Sequence, residues 1–157
     1  MTPVTSFDGE FGFLSNFYPV EVELDLQTYP SVEHAYQAAK TLRPDQRMPF
    51  QSFTLSAGDA KKFASRTKWG FELRPDWDKV KIGIMTMLCA QKFMLHPELG
   101  MKLVATRGRD LIGGNWWGDK FWGVCRGEGM NHLGEILMEI RATLLGQWNK
   151  IYDGKLL

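Results

Sequence analysis

The stretch Ser31-Val32-Glu33-His34-Ala35-Tyr36-Gln37-Ala38-Ala39-Lys40-Thr41-Leu42 reads as a helix, with Ser31 as N-cap behind Pro30 and Pro44 as the stop. At about 100° per residue, Val32, Ala35, Ala39 and Leu42 form one arc. Glu33, Gln37 and Lys40, at i, i+4 and i+7, form a second arc beside it, with Tyr36 between. A carboxylate, an amide and an amine therefore share a face. The alanines suit close packing, which predicts a buried helix whose polar arc faces a cleft. The alternative is a solvated face on which Glu33 favours the positive helix N-terminus and Lys40 the C-terminus.

Composition bounds the rest of the chain. With 157 residues, 44% of them hydrophobic and 24% charged, the expectation is one globular domain over 1–157. Nineteen basic against eighteen acidic residues leave a formal charge of +1, so no overall field favours non-specific nucleic-acid or membrane binding. The N-terminus lacks a basic stretch followed by an apolar run, and no segment reaches the ~18 apolar residues of a membrane span. A cytoplasmic protein with no membrane partner is expected. Cys89, Cys125 and three scattered histidines show no metal-ligand spacing, so neither a metal nor a disulfide is predicted.

Residues 4 to 24 alternate apolar and aromatic runs with turn residues (Asp8-Gly9, Gly12, Ser15-Asn16, Pro19), which predicts two or three short strands. Asn16 is either a turn residue or a polar group presented among aromatics. A short helix is expected between Pro44 and Phe53, and another from Ala57 to Thr67, capped by Ser56 and ended by Trp69-Gly70. The longest helix is expected from Pro75-Asp76 to about His96, with Trp77, Val80, Ile84, Met87, Leu88, Gln91 and Leu95 as its core stripe. Pro97 opens a further helix to about Thr106. Asn131 caps the last, whose Leu133, Ile136, Leu137, Ile140 and Leu144 face the core up to Gly146. The fold class is mostly α (α+β), with a small N-terminal β element.

Between Arg107 and Asn131 lie seven of the sixteen glycines, together with Trp116, Trp117, Phe121 and Trp122. Such long irregular segments are usually functional. Glycine permits close backbone approach to a ligand, indole faces stack on nucleobases, and Arg107, Arg109 and Arg126 suit phosphate. The combination points to a nucleotide-like ligand; the competing reading makes the tryptophans core anchors.

Two chemistries fit these residues. Glu33 and Asp119, the latter set among aromatics, provide the carboxylate pair that glycosyl transfer often uses. Lys40, kept from water by alanine packing, has an amine suited to attack C1 of a ring-opened ribose, forming an imine that water hydrolyses.

Phe13-Leu14-Ser15-Asn16-Phe17-Tyr18-Pro19, Ser31 through Lys40, Arg74-Pro75-Asp76-Trp77, Lys92-Phe93, Trp117-Gly118-Asp119 with Phe121-Trp122-Gly123-Val124, and Gly129 through Arg141 together resemble the NADAR, or YbiA-like, family. The resemblance spans nearly the whole chain. It implies a single compact α-rich domain and hydrolysis of N-glycosidic bonds without a cofactor. Family substrates are ADP-ribosylated guanine bases in nucleic acid and early phosphoribosylamino intermediates of riboflavin synthesis. The implied partner is thus an ADP-ribose-like nucleotide, free or attached to DNA or RNA. Carried onto this chain, the catalytic lysine is Lys40, with Glu33 and Asp119 as acid/base candidates. Asn16, Gln37, Trp117, Gly118 and Trp122 are the substrate-binding candidates. One departure stands out: where the family commonly reads Leu-x-Glu, this chain has Leu111-Ile112-Gly113. The leading expectation is an N-glycosidase on a ribosylated base. Its rival is a module that binds ADP-ribose or NAD without turnover, a reading that the missing glutamate strengthens.

Overall fold

The computed structural model describes residues 1–65 and 70–152. These fall into two compact units, one formed by residues 1–15 with 93–152 and the other by the described residues between 16 and 92. The predicted helix end at Thr67 and Trp69 lies outside the described residues. Among them, no helix is long and apolar enough to cross a membrane.

In the 16–92 unit, strands β1 (Val22–Leu24) and β2 (Gln27–Tyr29) form an antiparallel hairpin with Val22 opposite Tyr29. Asp25 and Leu26 close it, both at positive φ (49° and 65°), the geometry of a two-residue turn that follows the strands' right-handed twist. Strand β1 falls at the end of the stretch 4–24 where strands are expected, and β2 lies beyond it. Residues Gly9–Leu14, in the other unit, instead form a 3-10 helix that buries Phe13 and Leu14, because the glycines at 9 and 12 interrupt any strand alternation.

Helix α1 (Val32–Ala39) follows β2, and all eight of its residues are buried. The Ser31 hydroxyl accepts from the His34 backbone N–H at 3.2 Å, as a Ser N-cap should. The helix ends one turn before Leu42, which is 58% exposed. There the Thr41 hydroxyl donates to Gln46 Oε1 and accepts from the Arg43 N–H, a side-chain turn that competes with the helix. Helices α2 (Pro44–Arg47) and α3 (Ala57–Ser65) come next, separated by a 3-10 turn at Met48–Gln51. Ser56 caps α3 through the Asp59 N–H at 3.0 Å, and α3 packs along α1.

Helix α4 (Trp77–Met94) carries a different stripe from the expected one. Its buried residues are Trp77, Met85, Leu88, Cys89, Lys92 and Phe93, whereas Met87 is 41% exposed. The apolar pattern misplaced the face because Lys92, a residue ordinarily assigned to solvent, is fully buried.

In the other unit, α5 (Pro97–Ala105) and α6 (His132–Ile151) pack together. Leu133, Ile136, Leu137, Ile140 and Leu144 are all buried, as the periodicity predicts. Helix α6 continues past Gly146, whose position has open space around it. Asn131 lies at φ 54° and makes no side-chain cap. Its amide instead donates to the Leu111 carbonyl (2.9 Å) and its oxygen accepts from the Gly113 N–H (3.0 Å). Strands β3 (Gly114–Asn115) and β4 (Val124–Cys125) pair in parallel within the glycine-rich segment.

His34 joins α1 to the 52–56 loop. Its Nε2–H donates to the Leu55 carbonyl at 2.7 Å, which leaves Nδ1 to accept from the Ser31 hydroxyl, also at 2.7 Å. Burial pushes the imidazole below its ordinary value, against a raising effect of the Leu55 carbonyl. Between that lowered value and ~6.5 the unfolded chain binds more protons than the folded one. The stabilising contribution is therefore complete above about pH 6.5 and is lost as pH falls through the lowered value. Melting temperatures at pH 7.5 and 5.5 should show an acid loss that is smaller in His34→Gln; equal losses in both proteins would contradict this.

Candidate active site

The N-terminus of α1 is anchored by Asn16, whose carbonyl accepts from the Glu33 N–H at 3.0 Å. The Asn16 side chain is held between two sulfurs of α4. Its Nδ2 donates to Met85 Sδ at 3.4 Å, and its Oδ1 accepts from Cys89 Sγ at 3.7 Å. The sequence candidate Asn16 thus fixes the helix that carries the polar arc.

On that arc, Gln37 Nε2 donates to Glu33 Oε1 at 2.7 Å. Gln37 is 2% exposed, and its Oε1 has no hydrogen-bond partner. A buried amide oxygen left unpaired costs on the order of 1–3 kcal/mol, so a donor arriving from a ligand would relieve it. Lys40 forms the C-cap of α1, and its carbonyl accepts from the Arg74 N–H at 2.7 Å. Its amine stands 5.5 Å from the centroid of the Tyr36 ring, which packs on Trp77 at 5.1 Å. Burial pushes this amine below the ordinary lysine value. Glu33 opposes that shift, while the charges of Lys61 and Lys81 add to it. The result is an amine closer to its neutral, nucleophilic form than an exposed lysine, on the same helical arc as the Glu33 carboxylate.

Lys92 is a further polar group that the periodicity hid. It is fully buried, its amine lies 5.3 Å from the centroid of the Tyr18 ring, and burial pushes it down to about 8, with Cys89 acting in the opposite sense. Its seven-residue spacing from Met85 was the available signal, since it places both on one face of α4.

The other candidates belong to the unit of residues 1–15 and 93–152. Asp119 Oδ1 accepts from the backbone N–H groups of Phe121 (3.1 Å) and Trp122 (3.0 Å). Asn115 ties the same turn from below: its amide donates to the carbonyls of Asp119 (2.7 Å) and Val124 (3.2 Å), and its Oδ1 accepts from the Asp119 N–H. Gly118, at φ 92°, supplies the left-handed conformation this turn requires. Trp116 and Trp117 are 84% and 57% exposed, with rings 5.7 Å apart and nearly perpendicular. Exposure on this scale sets aside the core-anchor reading for these two. Trp122 packs on Phe121 at 4.8 Å and lies 6.4 Å from His132. Arg109, expected to suit phosphate, donates to the Thr2 carbonyl and covers the Phe11 ring. Gly113 has ordinary φ, and a Cβ there would meet Phe7 at 3.4 Å, so the backbone itself does not demand glycine.

The NADAR domain family matches residues 5–145. N-glycosidase YbiA of Escherichia coli (strain K12) is 33% identical over 140 residues, covering 88% of this chain and 85% of that protein. The chloroplastic riboflavin biosynthesis protein PYRR of Zea mays is 36% identical over 149 residues; the match covers 87% of this chain and 24% of the maize protein. The NMR structure of the E. coli protein YbiA superposes with a TM-score of 0.79 at 30% identity, covering 94% of this chain and 85% of that one.

The packing separates the two candidate tryptophans. Trp117→Ala should change unfolding free energy by no more than ~0.5 kcal/mol, as at other exposed sites. Trp122→Ala, which strips a ring packed on Phe121, should cost ~1 kcal/mol or more. Denaturant unfolding of the two variants checks this, and equal losses would contradict the distinction.

Proposed function

The chain belongs to the NADAR family, and on that premise we propose that it is an N-glycosidase that releases ADP-ribose from ADP-ribosylated guanine, in nucleic acid or in a nucleotide. The observation that carries the reading is the face of α1. Lys40 offers an amine lowered by burial, Glu33 a carboxylate in the same arc, and Gln37 Oε1 an unpartnered acceptor for a sugar hydroxyl.

The reaction begins with ribose ring opening, in which Glu33 moves a proton to the ring oxygen and C1 becomes an iminium with the base. Lys40 Nζ adds to C1, the C1–base bond breaks with a proton passing to the base, and a lysine imine remains. Water adds to that imine, and the C1–Nζ bond breaks to give free ADP-ribose and the original amine. Asp119 is the second acid/base candidate. With Gly118 it also sets the turn that presents Trp117 and Trp122, proposed as stacking faces for the base or adenine.

Because PYRR of Zea mays bears a riboflavin biosynthesis name, phosphoribosylamino-pyrimidine intermediates form the second substrate class to test. The glycine at 113 keeps the non-catalytic ADP-ribose or NAD binding module as the comparison outcome.

Incubation with ADP-ribosylated guanosine should release guanosine. Borohydride added during turnover should leave the ADP-ribosyl fragment on the peptide containing Lys40. Lys40→Arg keeps the positive charge but loses the nucleophile, so kcat should fall roughly a thousandfold or more with binding largely kept. Near-normal turnover by that variant would contradict the covalent route, and saturable binding with unchanged ligand would favour the module.

A further inference from the structure

Lys40 occupies the C-cap of α1, the position at which a helix has run out of its own hydrogen bonds and ordinarily frays. The last turn tightens as it ends: the Lys40 N–H donates to the Gln37 carbonyl at 3.3 Å and the Thr41 N–H to the Ala38 carbonyl at 3.2 Å, each three residues back. The other side of the Lys40 peptide is held from outside the helix. Its carbonyl accepts from the Arg74 N–H at 2.7 Å, and Arg74 belongs to a stretch, 70–74, that is neither helix nor strand.

A single side chain ties that stretch to α1. Gln46 on α2 is 5% exposed, and its amide pairs with residues 70 and 72 as a peptide of a neighbouring strand would. Nε2 donates to the Gly70 carbonyl at 2.8 Å, and Oε1 accepts from the Glu72 N–H at 3.0 Å. The second lone pair of Oε1 takes the Thr41 hydroxyl at 2.9 Å. Thr41, fully buried, is the residue after Lys40. The bonds therefore close a ring, from the Lys40 carbonyl to Arg74, along the chain to Glu72, across to Gln46 Oε1 and back through the Thr41 hydroxyl. Arg47, next to Gln46, secures Thr41 again by donating from Nε to its carbonyl at 2.7 Å. Helix α2 has four residues, too few to stand on its own hydrogen bonds, yet two successive side chains of it are committed to Thr41. An amine that must meet one carbon of a substrate needs such support, since a reactive group is held to within ~0.5 Å only where bonds from its neighbours lock the backbone that carries it.

We propose that Gln46 is a positioning residue for Lys40: through Thr41 and the 70–74 stretch it fixes the C-cap peptide, and with it the place of the amine beside the Tyr36 ring. The catalytic consequence rests on the reading of Lys40 as the nucleophile; the effect of the ring on the amine itself does not.

The test compares Thr41→Val, Thr41→Ser and Gln46→Met with the wild type, by NMR titration of the Lys40 amine and by turnover of ADP-ribosylated guanosine. Valine fills the space of threonine without the hydroxyl, methionine that of glutamine without the amide, and serine keeps the hydroxyl while losing a methyl. All three leave in place the charges that act on Lys40, those of Glu33, Lys61 and Lys81. With the ring broken the amine gains water, so its midpoint should move up toward the ordinary lysine value and the free-amine fraction at neutral pH should fall about three- to tenfold. In Thr41→Val and Gln46→Met kcat should fall at least as far, with KM within about twofold of the wild type. Combining these two substitutions should add little to either, because both cut one ring. Thr41→Ser should lose stability yet keep the wild-type midpoint, a separation that a purely structural role for Thr41 would not give. A wild-type midpoint in both Thr41→Val and Gln46→Met overturns the positioning role and leaves the hydrolase reading intact; so does a Thr41→Ser variant that titrates like Thr41→Val. Should Gln46→Met fail to fold, the two Thr41 variants decide alone. If the midpoint moves as expected but the wild type cleaves no ribosylated base, the hydrolase reading fails and the positioning role stands.

Discussion

Every side chain of α1 from Val32 to Ala39 is withdrawn from water, so each of its polar groups must find a partner inside the protein or bear the cost of burial. The surrounding structure is arranged around that requirement. Ser31 and the Leu55 carbonyl take both nitrogens of His34. Asn16, locked between Met85 and Cys89, takes the Glu33 N–H. Glu33 takes one end of the Gln37 amide, and the other end is left open. Native proteins leave few buried polar atoms unsatisfied, and those that remain call for an explanation. Here the open atom lies one turn from a lysine that burial and two neighbouring cations push toward its neutral form.

The other unit meets a comparable constraint in an irregular segment. Asn115, Asp119 and Asn131 hold the chain between Leu111 and Trp122 through side-chain bonds to backbone groups. Close packing forbids side chains where they would collide, as at Gly134, where a Cβ would lie 2.1 Å from the Leu111 carbonyl. With the backbone satisfied in this way, Trp116 and Trp117 are free to face solvent, the arrangement suited to a stacking surface.

Features governed by local rules were legible in the sequence. The Ser31 cap, the i, i+4, i+7 placement of Glu33, Gln37 and Lys40, and the apolar face of α6 all depend on residues within two turns of one another. Features governed by distant partners were not. Helix α1 stops early because Thr41 bonds Gln46, α4 turns a lysine inward, and Asn131 bonds residues about twenty positions away instead of capping α6. The turn and second strand of the hairpin at 22–29 escaped because its turn residues, Asp25 and Leu26, lack the glycine that usually marks positive φ. Of the candidate site, the α1 residues were legible as a set, whereas the buried Lys92 was hidden by the ordinary assumption that lysines face water.

The central claim is that α1 presents Lys40 as a partly desolvated amine, pushed toward its neutral form by burial and held back by Glu33. The most direct measurement is an NMR titration of the Lys40 side chain, assigned through Lys40→Arg, in the wild type and in Glu33→Gln. The account predicts a midpoint below the ~10.4 of an ordinary lysine, moving lower still when the carboxylate is neutralised. A midpoint at or above the ordinary value, or an upward move in Glu33→Gln, would contradict it.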